Sequence, residues 1–143
     1  MALPPKLQAI LDDLTGATDR DERFDMLIDF SDQFESVPPS IATRPFPEEH
    51  KVPGCESEVY VWVTPNEDGT LKVYYAVENP QGISAKATAV ILDSGLSGER
   101  PEAFADVNED IALKIFGGTL SMGKGQGLMS MIGATKALAM RLK

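Results

Sequence analysis

The sequence predicts an α+β fold in which a small antiparallel β-sheet packs against helices. Apolar residues recur at helical spacing near both ends of the chain, whereas the middle alternates apolar and polar residues with the period of two typical of strands. An Asp-Gly turn interrupts the alternating stretch and indicates a hairpin. The 143 residues show no internal repeat and no linker, so we expect residues 1–143 to form a single domain.

The first third of the chain is predicted to form a helical hairpin. Gly16 ends the first helical pattern, and Thr18 followed by Asp21 resembles the capping box that begins a second helix. The first helix would carry a stripe of apolar residues, Leu7, Ile10, Leu11 and Leu14. One face of the second helix would carry Phe24, Leu27, Ile28, Ser31 and Phe34.

A proline-rich segment follows at residues 36–54. Its five prolines remove backbone donors and disfavour helix at the preceding residues, so they predict an extended loop. Residues 48–52, near the end of this loop, are expected to add a short edge strand.

The β-hairpin is predicted over residues 59–77, with its turn at residues 65–69. The alternation places the valines of the first strand on one face and Tyr60 and Trp62 on the other. We expect the face of Tyr60 and Trp62 to be the wetter side of the sheet, covered by a helix. A surface for contact with a partner is the alternative.

A third helix is predicted to begin at Asn79-Pro80 and to end near Ser94-Gly95, because asparagine is a favoured cap and proline suits the first turn. Its inner face would carry Ile83, Ala87, Val90 and Ile91.

The last part of the chain is predicted to hold two short helices, over residues 101–105 and 109–116, and a final long helix. Between them, residues 117–127 contain five glycines and are predicted to form a loop. The final helix would carry the clearest apolar stripe of the chain, at Leu128, Met131, Ile132, Thr135, Leu138, Ala139 and Leu142.

Composition excludes several classes of function. A net charge of −9 argues against nucleic-acid binding and against anionic membrane surfaces. It suits a protein that docks on a basic patch of another protein, or it serves solubility alone. One cysteine and one histidine allow no disulfide within the chain and supply too few ligands for a Cys/His metal site, so neither is expected. With no leader pattern and no apolar run of about 18 residues, we expect a cytoplasmic protein whose thiol stays reduced.

Cys55 is the first candidate for a functional residue. It follows the proline-rich loop and the Pro53-Gly54 pair, where a glycine allows positive φ and close approach by a partner. The alternative is a small buried apolar residue, which free cysteines often are. Four glutamates and one lysine lie between residues 48 and 58, and nearby negative charge disfavours the thiolate. A protease-like nucleophile paired with His50 is therefore not expected.

Residues 118–125 are the second candidate, because they nearly fit the phosphate-binding pattern G-x-x-x-x-G-K-[ST]. Gly125 replaces the hydroxyl residue that binds magnesium, and the chain lacks the alternating strands and helices of a nucleotide-binding sheet. The apolar residues 89–93 could be taken for the strand of such a site, but they fit a helix better. A nucleotide-binding module therefore stays only as an alternative function.

Two segments resemble signatures of the SufE/CsdE family of sulfur-acceptor proteins in iron–sulfur cluster assembly. Residues 54–60, Gly-Cys-Glu-Ser-Glu-Val-Tyr, resemble G-C-x-S-x-V-[WY]. Residues 120–128 are similar to the segment L-[ST]-P-S-R-x-[NQ]-G-L that precedes the last helix of the family, with Lys124 in the place of its arginine. The resemblance covers roughly residues 5–142, and it implies a SufE/IscU-like sandwich of sheet and helices.

The resemblance implies a sulfur-transfer accessory protein rather than an independent enzyme. Cys55 would take persulfide sulfur from a cysteine desulfurase of the SufS/CsdA type, stimulate that enzyme, and deliver the sulfur to an iron–sulfur scaffold. The pyridoxal phosphate would belong to the desulfurase, and this chain would bind no cofactor. Residues expected to support Cys55 or to contact the partner are Gly54, Glu56, Ser57, Lys124 and Gln126. A homodimer, a scaffold that itself assembles clusters, and an interaction protein with an idle thiol remain open.

Overall fold

The computed structural model of the protein describes residues 3–54, 58–79, 82–117 and 122–143, with the backbone alone for residues 122–124. The helices are α1 (Pro5–Gly16), α2 (Arg20–Asp32), α3 (Ile83–Leu96), α4 (Ile111–Phe116) and α5 (Met122–Arg141). The strands are β1 (Val59–Pro65) and β2 (Leu71–Val77), and 3₁₀ turns occupy Glu48–His50 and Pro101–Phe104. This architecture confirms the predicted α+β class.

The two strands form an antiparallel hairpin, as predicted. Its register runs from Val59 opposite Val77 to Pro65 opposite Leu71, so the valines of β1 share one face with Leu71, Val73, Tyr75 and Val77 of β2. That face lies on the main core with α1, α3, α4 and α5. The alternation of the sequence therefore decides which side of the hairpin the helices cover.

The predicted edge strand over residues 48–52 is wrong. Residues Glu48–His50 form a 3₁₀ turn after Pro47, and only Lys51 pairs with β1, through an isolated bridge to Tyr60. The turn uses the backbone N–H groups of His50 and Lys51 for bonds to Pro47 and Glu48, so these groups are not available to a ladder.

The second face of the hairpin is buried, and among the described residues the proline-rich segment covers it, not a helix. Tyr60 and Trp62 pack with Val37 and Ala76, and with Ala42 and Phe46 of the proline-rich segment. Val37 also donates its backbone N–H to the carbonyl of Tyr75, at 2.9 Å, which ties the segment to β2. This corrects the predicted cover: the prolines favour an extended chain, and such a chain lies flat over two aromatic rings.

Helix α3 is the centre of the helical layer, with buried residues around most of its circumference. Helices α1 and α2 both pack against it, and their main contacts are with α3 rather than with each other. The two helices predicted as a hairpin therefore both pack on α3, and not mainly on each other.

Several predicted details of these helices are wrong. The side chain of Asp19, not Thr18, caps α2 by accepting the N–H of Asp21. On the predicted inner face of α2, Phe24 is 55% exposed, whereas Leu27 is buried as predicted. Helix α3 begins at Ile83, three residues beyond the predicted proline, and Ile83 is exposed.

Helix α5 begins at Met122, inside the stretch predicted to be a glycine-rich loop. Each glycine in a helix interior costs about 1 kcal/mol relative to alanine. The predicted stripe that follows is largely buried, and its packing against the core offsets that cost. Leu142 is the exception, at 41% exposed.

None of the helices in the described ranges is both long and apolar enough to cross a membrane.

Candidate functional site

The structure places only part of the predicted site. Cys55, Glu56 and Ser57 lie outside the described residues, as does the side chain of Lys124. Gly54 and Gln126 are described and exposed, and Gln126 lies in the first turns of α5. The predicted roles of these six residues therefore stay predictions, and the geometry that can be described is that of the chain flanking Cys55.

The segment that carries Cys55 starts and ends at one point of the core. The backbone N–H of Val52 donates to the carbonyl of Val59, at 2.8 Å, and both valines are buried. One residue further out on each side, Lys51 and Tyr60 form the isolated bridge. Residues 53–58 therefore connect two adjacent backbone positions at the mouth of the hairpin.

Gly54 and Glu58, the described residues nearest to Cys55 on either side, both have positive φ. Gly54 has φ +74°, and a Cβ placed on it would meet no atom within 4 Å. Glu58 has φ +51°, which is uncommon for a residue with a side chain. Because a non-glycine residue in this region costs of order 1–3 kcal/mol, its surroundings must hold it there.

Glu58 is held through β2. Its carbonyl accepts the backbone N–H of Glu78 at 3.1 Å, which continues the pairing of Val59 with Val77 by one residue. The carboxylate of Glu78 in turn accepts from Arg44 Nε, with distances of 3.0 and 3.1 Å to its two oxygens. Sequence reasoning misses Arg44, because it lies 34 residues from Glu78 and no local pattern marks such a pair.

His50 has a structural role at the hairpin. Its Nδ1 lies 2.9 Å from the carbonyl oxygen of Val61, and because a carbonyl only accepts, Nδ1–H donates. The ring also stacks on Trp62, with 5.1 Å between centroids. These contacts hold the imidazole against β1 and explain the position of this histidine without a catalytic role.

The described charges around the connection are mainly negative. Glu48, Glu49 and Glu58 are exposed, and Glu78 is partly buried and paired with Arg44. Lys51 is an exposed cation in the same region. The described flanks of the segment are therefore mainly acidic, in agreement with the charge pattern of the sequence.

The arrangement around residues 118–125 differs from a phosphate-binding loop. Such a loop joins a strand to a helix, whereas here α4 precedes the stretch and α5 begins within it, at Met122. Residues 89–93 belong to α3, in agreement with the helical interpretation of their sequence. Residues 118–121 themselves lie outside the described part. In the described ranges, no group of three histidine, cysteine or acidic side chains could hold a metal ion.

These features define a class: an α+β domain in which a cysteine follows a Pro-Gly turn and lies on a short connection at the mouth of a buried hairpin. The chain belongs to the SufE family. The family model, described as an Fe-S metabolism associated domain, matches residues 8–139. A role in iron–sulfur metabolism follows from that membership.

Two similar proteins are found, one by its sequence and one by its fold. A cysteine desulfuration protein SufE from Plasmodium vivax is 34% identical over 96 residues, which are 66% of this chain and 40% of that protein. The chain thus matches less than half the length of this relative. The solution structure of a hypothetical protein from Thermus thermophilus superposes with a TM-score of 0.76 over 99% of this chain and 98% of that one, at 24% identity. This second likeness shows the shared fold.

Proposed function

We propose that this protein is a sulfur acceptor for a cysteine desulfurase and that Cys55 carries the sulfur. The observation that supports this most strongly is the family membership of a chain that contains a single cysteine, directly after a Pro-Gly turn. The backbone hydrogen bond between Val52 and Val59 gives the turn a rigid base. Reactive groups are typically presented by loops on rigid elements.

The proposed step is a thiol–persulfide exchange that needs no external oxidant or reductant. The thiolate of Cys55 attacks the terminal sulfur of a persulfide on the cysteine of the desulfurase. A new S–S bond forms at Cys55 while the S–S bond of the donor breaks, and the cysteine of the donor leaves as a thiolate. Cys55 then carries the persulfide, and the desulfurase regains its free thiol for another turnover.

The acidic residues near Cys55 in the sequence suit a thiol that is little activated in the free protein and becomes activated in the complex with the desulfurase. A low thiolate fraction in the free protein slows unwanted reactions, because the thiolate is the attacking species. A basic surface on the desulfurase would dock on the acidic rim and raise the thiolate fraction in the complex. The persulfide would then pass to an iron–sulfur scaffold by a second exchange of the same kind.

The test is to incubate the protein with a SufS/CsdA-type desulfurase and cysteine. We expect a mass gain of one sulfur atom on Cys55 and faster sulfide release in the presence of a reductant. Cys55→Ser should lose both effects, since a hydroxyl cannot accept sulfane sulfur. The matched control is Ser31→Cys, which places a thiol on α2, a helix that packs mainly against α3, in the Cys55→Ser background; it should not restore transfer.

The absence of a mass gain on the unmodified protein would overturn the proposal. Stimulation that persists in Cys55→Ser would also contradict it, because the chain would then act on the desulfurase without accepting sulfur.

A further inference from the structure

We propose that Arg44 is a positioning residue for the Cys55 connection. Its ion pair with Glu78 holds Glu78 in place. Glu78 in turn holds Glu58, the last residue of the connection, at positive φ. This inference rests on the proposed function for its relevance to sulfur transfer, but its structural part can be tested in the free protein.

The first step concerns Glu58, which ends the connection. A glutamate at φ +51° returns to negative φ unless neighbouring contacts prevent it. The described contact at its carbonyl is the hydrogen bond from the N–H of Glu78. The direction of the backbone at Glu58 therefore depends on where the backbone of Glu78 lies.

The second step concerns Glu78, which lies beyond the last residue of β2, where the regular ladder ends. Its side chain is anchored to Arg44, whose Nε lies 3.0 and 3.1 Å from the two carboxylate oxygens. The pair joins the end of β2 to a part of the chain that is distant in sequence. It limits the fraying expected at a strand end.

The third step is that Arg44 itself has a fixed base. The next aromatic residue, Phe46, packs its ring 5.2 Å from that of Tyr60 and 5.3 Å from that of Trp62. The guanidinium of Arg44 lies 6.0 Å from the centroid of Phe46. The proline-rich segment is thus anchored on the second face of the hairpin, and through Arg44 it restrains Glu78, which holds Glu58.

The alternative is a surface ion pair with no effect on the site. Arg44 is 71% exposed, and many exposed pairs contribute nothing measurable. If Arg44 has a positioning role, its loss changes the local order at Glu58 and Glu78. If the pair has no effect on the site, that order stays the same. They also differ in the reactivity of Cys55.

The test compares Arg44→Met with Arg100→Met, a matched control at the opposite end of the hairpin, where Arg100 contacts the carbonyl of Asp68. Hydrogen exchange at the Glu78 amide should be about two- to fivefold faster in Arg44→Met, the change that loss of an exposed ion pair produces. Arg100→Met should leave it unchanged. Arg44→Glu combined with Glu78→Arg should return exchange towards the original rate, because the pair is restored with reversed polarity.

The second readout is alkylation of Cys55 by a neutral reagent as a function of pH. A positioning role predicts a changed rate constant at the high-pH plateau in Arg44→Met, whereas a purely electrostatic role shifts only the apparent pKa of the thiol. Unchanged exchange at Glu78 together with an unchanged plateau would overturn the inference.

Sulfur transfer from the desulfurase provides the third readout. It should slow in Arg44→Met and stay unchanged in Arg100→Met. If the unmodified protein accepts no sulfur, the proposed function fails, yet exchange and alkylation still decide the role of Arg44.

Discussion

At the scale of single residues, the connection around Cys55 combines two backbone conformations that most side chains avoid. Gly54 adopts positive φ without strain because it has no Cβ, whereas Glu58 adopts it against its own preference. The sequence indicates the first, since glycine after proline is typical of a turn. It could not indicate the second, because the conformation of Glu58 depends on a hydrogen bond from Glu78.

Gly54 offers the clearest residue-scale prediction. Replacement by alanine meets no neighbouring atom, so the backbone conformation alone determines its effect. We expect Gly54→Ala to lower the free energy of unfolding by about 1 kcal/mol, the cost of a left-handed conformation. Gly54→Asn should cost less, because asparagine tolerates this region better.

Urea denaturation measures the difference, with Gly16→Ala as the control. Gly16 ends α1 and does not have positive φ, and a Cβ added to it would meet no atom within 4 Å, so alanine there should be neutral or stabilising. Equal effects at positions 16 and 54 would contradict the assigned backbone conformation.

At the scale of elements, two helical glycines serve different purposes. Gly95 lies in the last turn of α3, which ends at Leu96, close to the predicted end. A Cβ there would lie 2.8 Å from Leu7 Cβ and 2.9 Å from Leu7 Cα, so Gly95 permits the close approach of α1. Gly125 lies in the first turns of α5, and a Cβ there would meet nothing within 4 Å.

The same substitution should therefore have opposite effects in the two helices. Gly95→Ala forces α1 away from α3, and overpacking of this kind costs about 1–3 kcal/mol. Gly125→Ala adds a better helix former without a close contact at Cβ and should raise stability by about 0.5–1 kcal/mol. Denaturant titration of both variants checks the signs. Destabilisation by Gly125→Ala would show that the beginning of α5 is not helical in solution.

The elements also show how far periodicity alone can predict this fold. The hairpin and α1 could be predicted because their side-chain pattern repeats over several turns or residues. The start of α5 could not, because packing of residues such as Met131 outweighs the low helix propensity of three glycines. The cover over Trp62 could not either, since an irregular proline-rich segment has no period to recognise.

The candidate site, like the fold, could be predicted from the sequence only in part. Cys55 could be singled out from its neighbours in sequence, because it is the only cysteine and follows Pro53-Gly54. Arg44 and Glu78 could not, because their relation exists only after the proline-rich segment folds over the second face of the hairpin. Local patterns therefore identify the candidate residue Cys55, and tertiary contacts identify the pair of Arg44 with Glu78 next to the described flank at Glu58.

At the scale of the whole molecule, a buried hydrogen bond joins the sheet to the last helix. Thr135 donates its hydroxyl proton to the carbonyl of Met131, at 2.8 Å. The hydroxyl of Tyr75 therefore acts as the donor in its 2.7 Å contact with Thr135 Oγ1. This bond ties β2 to α5 in the interior, and it requires Tyr75 to remain protonated.

Because the bond needs a protonated, buried tyrosine, the free energy of unfolding should fall at alkaline pH. Burial raises the pKa of Tyr75 well above its ordinary value of 10, and the opposing effect of the Thr135 hydroxyl is smaller. Above pH 10 the unfolded chain loses this proton while the folded protein keeps it, so the stabilising contribution is complete below pH 10 and is lost as pH rises.

Tyr75→Phe should remove this dependence. At neutral pH the variant should be less stable by about 1 kcal/mol, the net value of one hydrogen bond. The unmodified protein should then lose about 1.4 kcal/mol per pH unit above about pH 10 that the variant does not lose, so the two stabilities should converge near about pH 11. Urea denaturation between about pH 7 and 11 measures both curves, with Tyr74→Phe on the other face of β2 as the control. Parallel curves for the unmodified protein and Tyr75→Phe would contradict the burial of an un-ionised tyrosine between the sheet and α5.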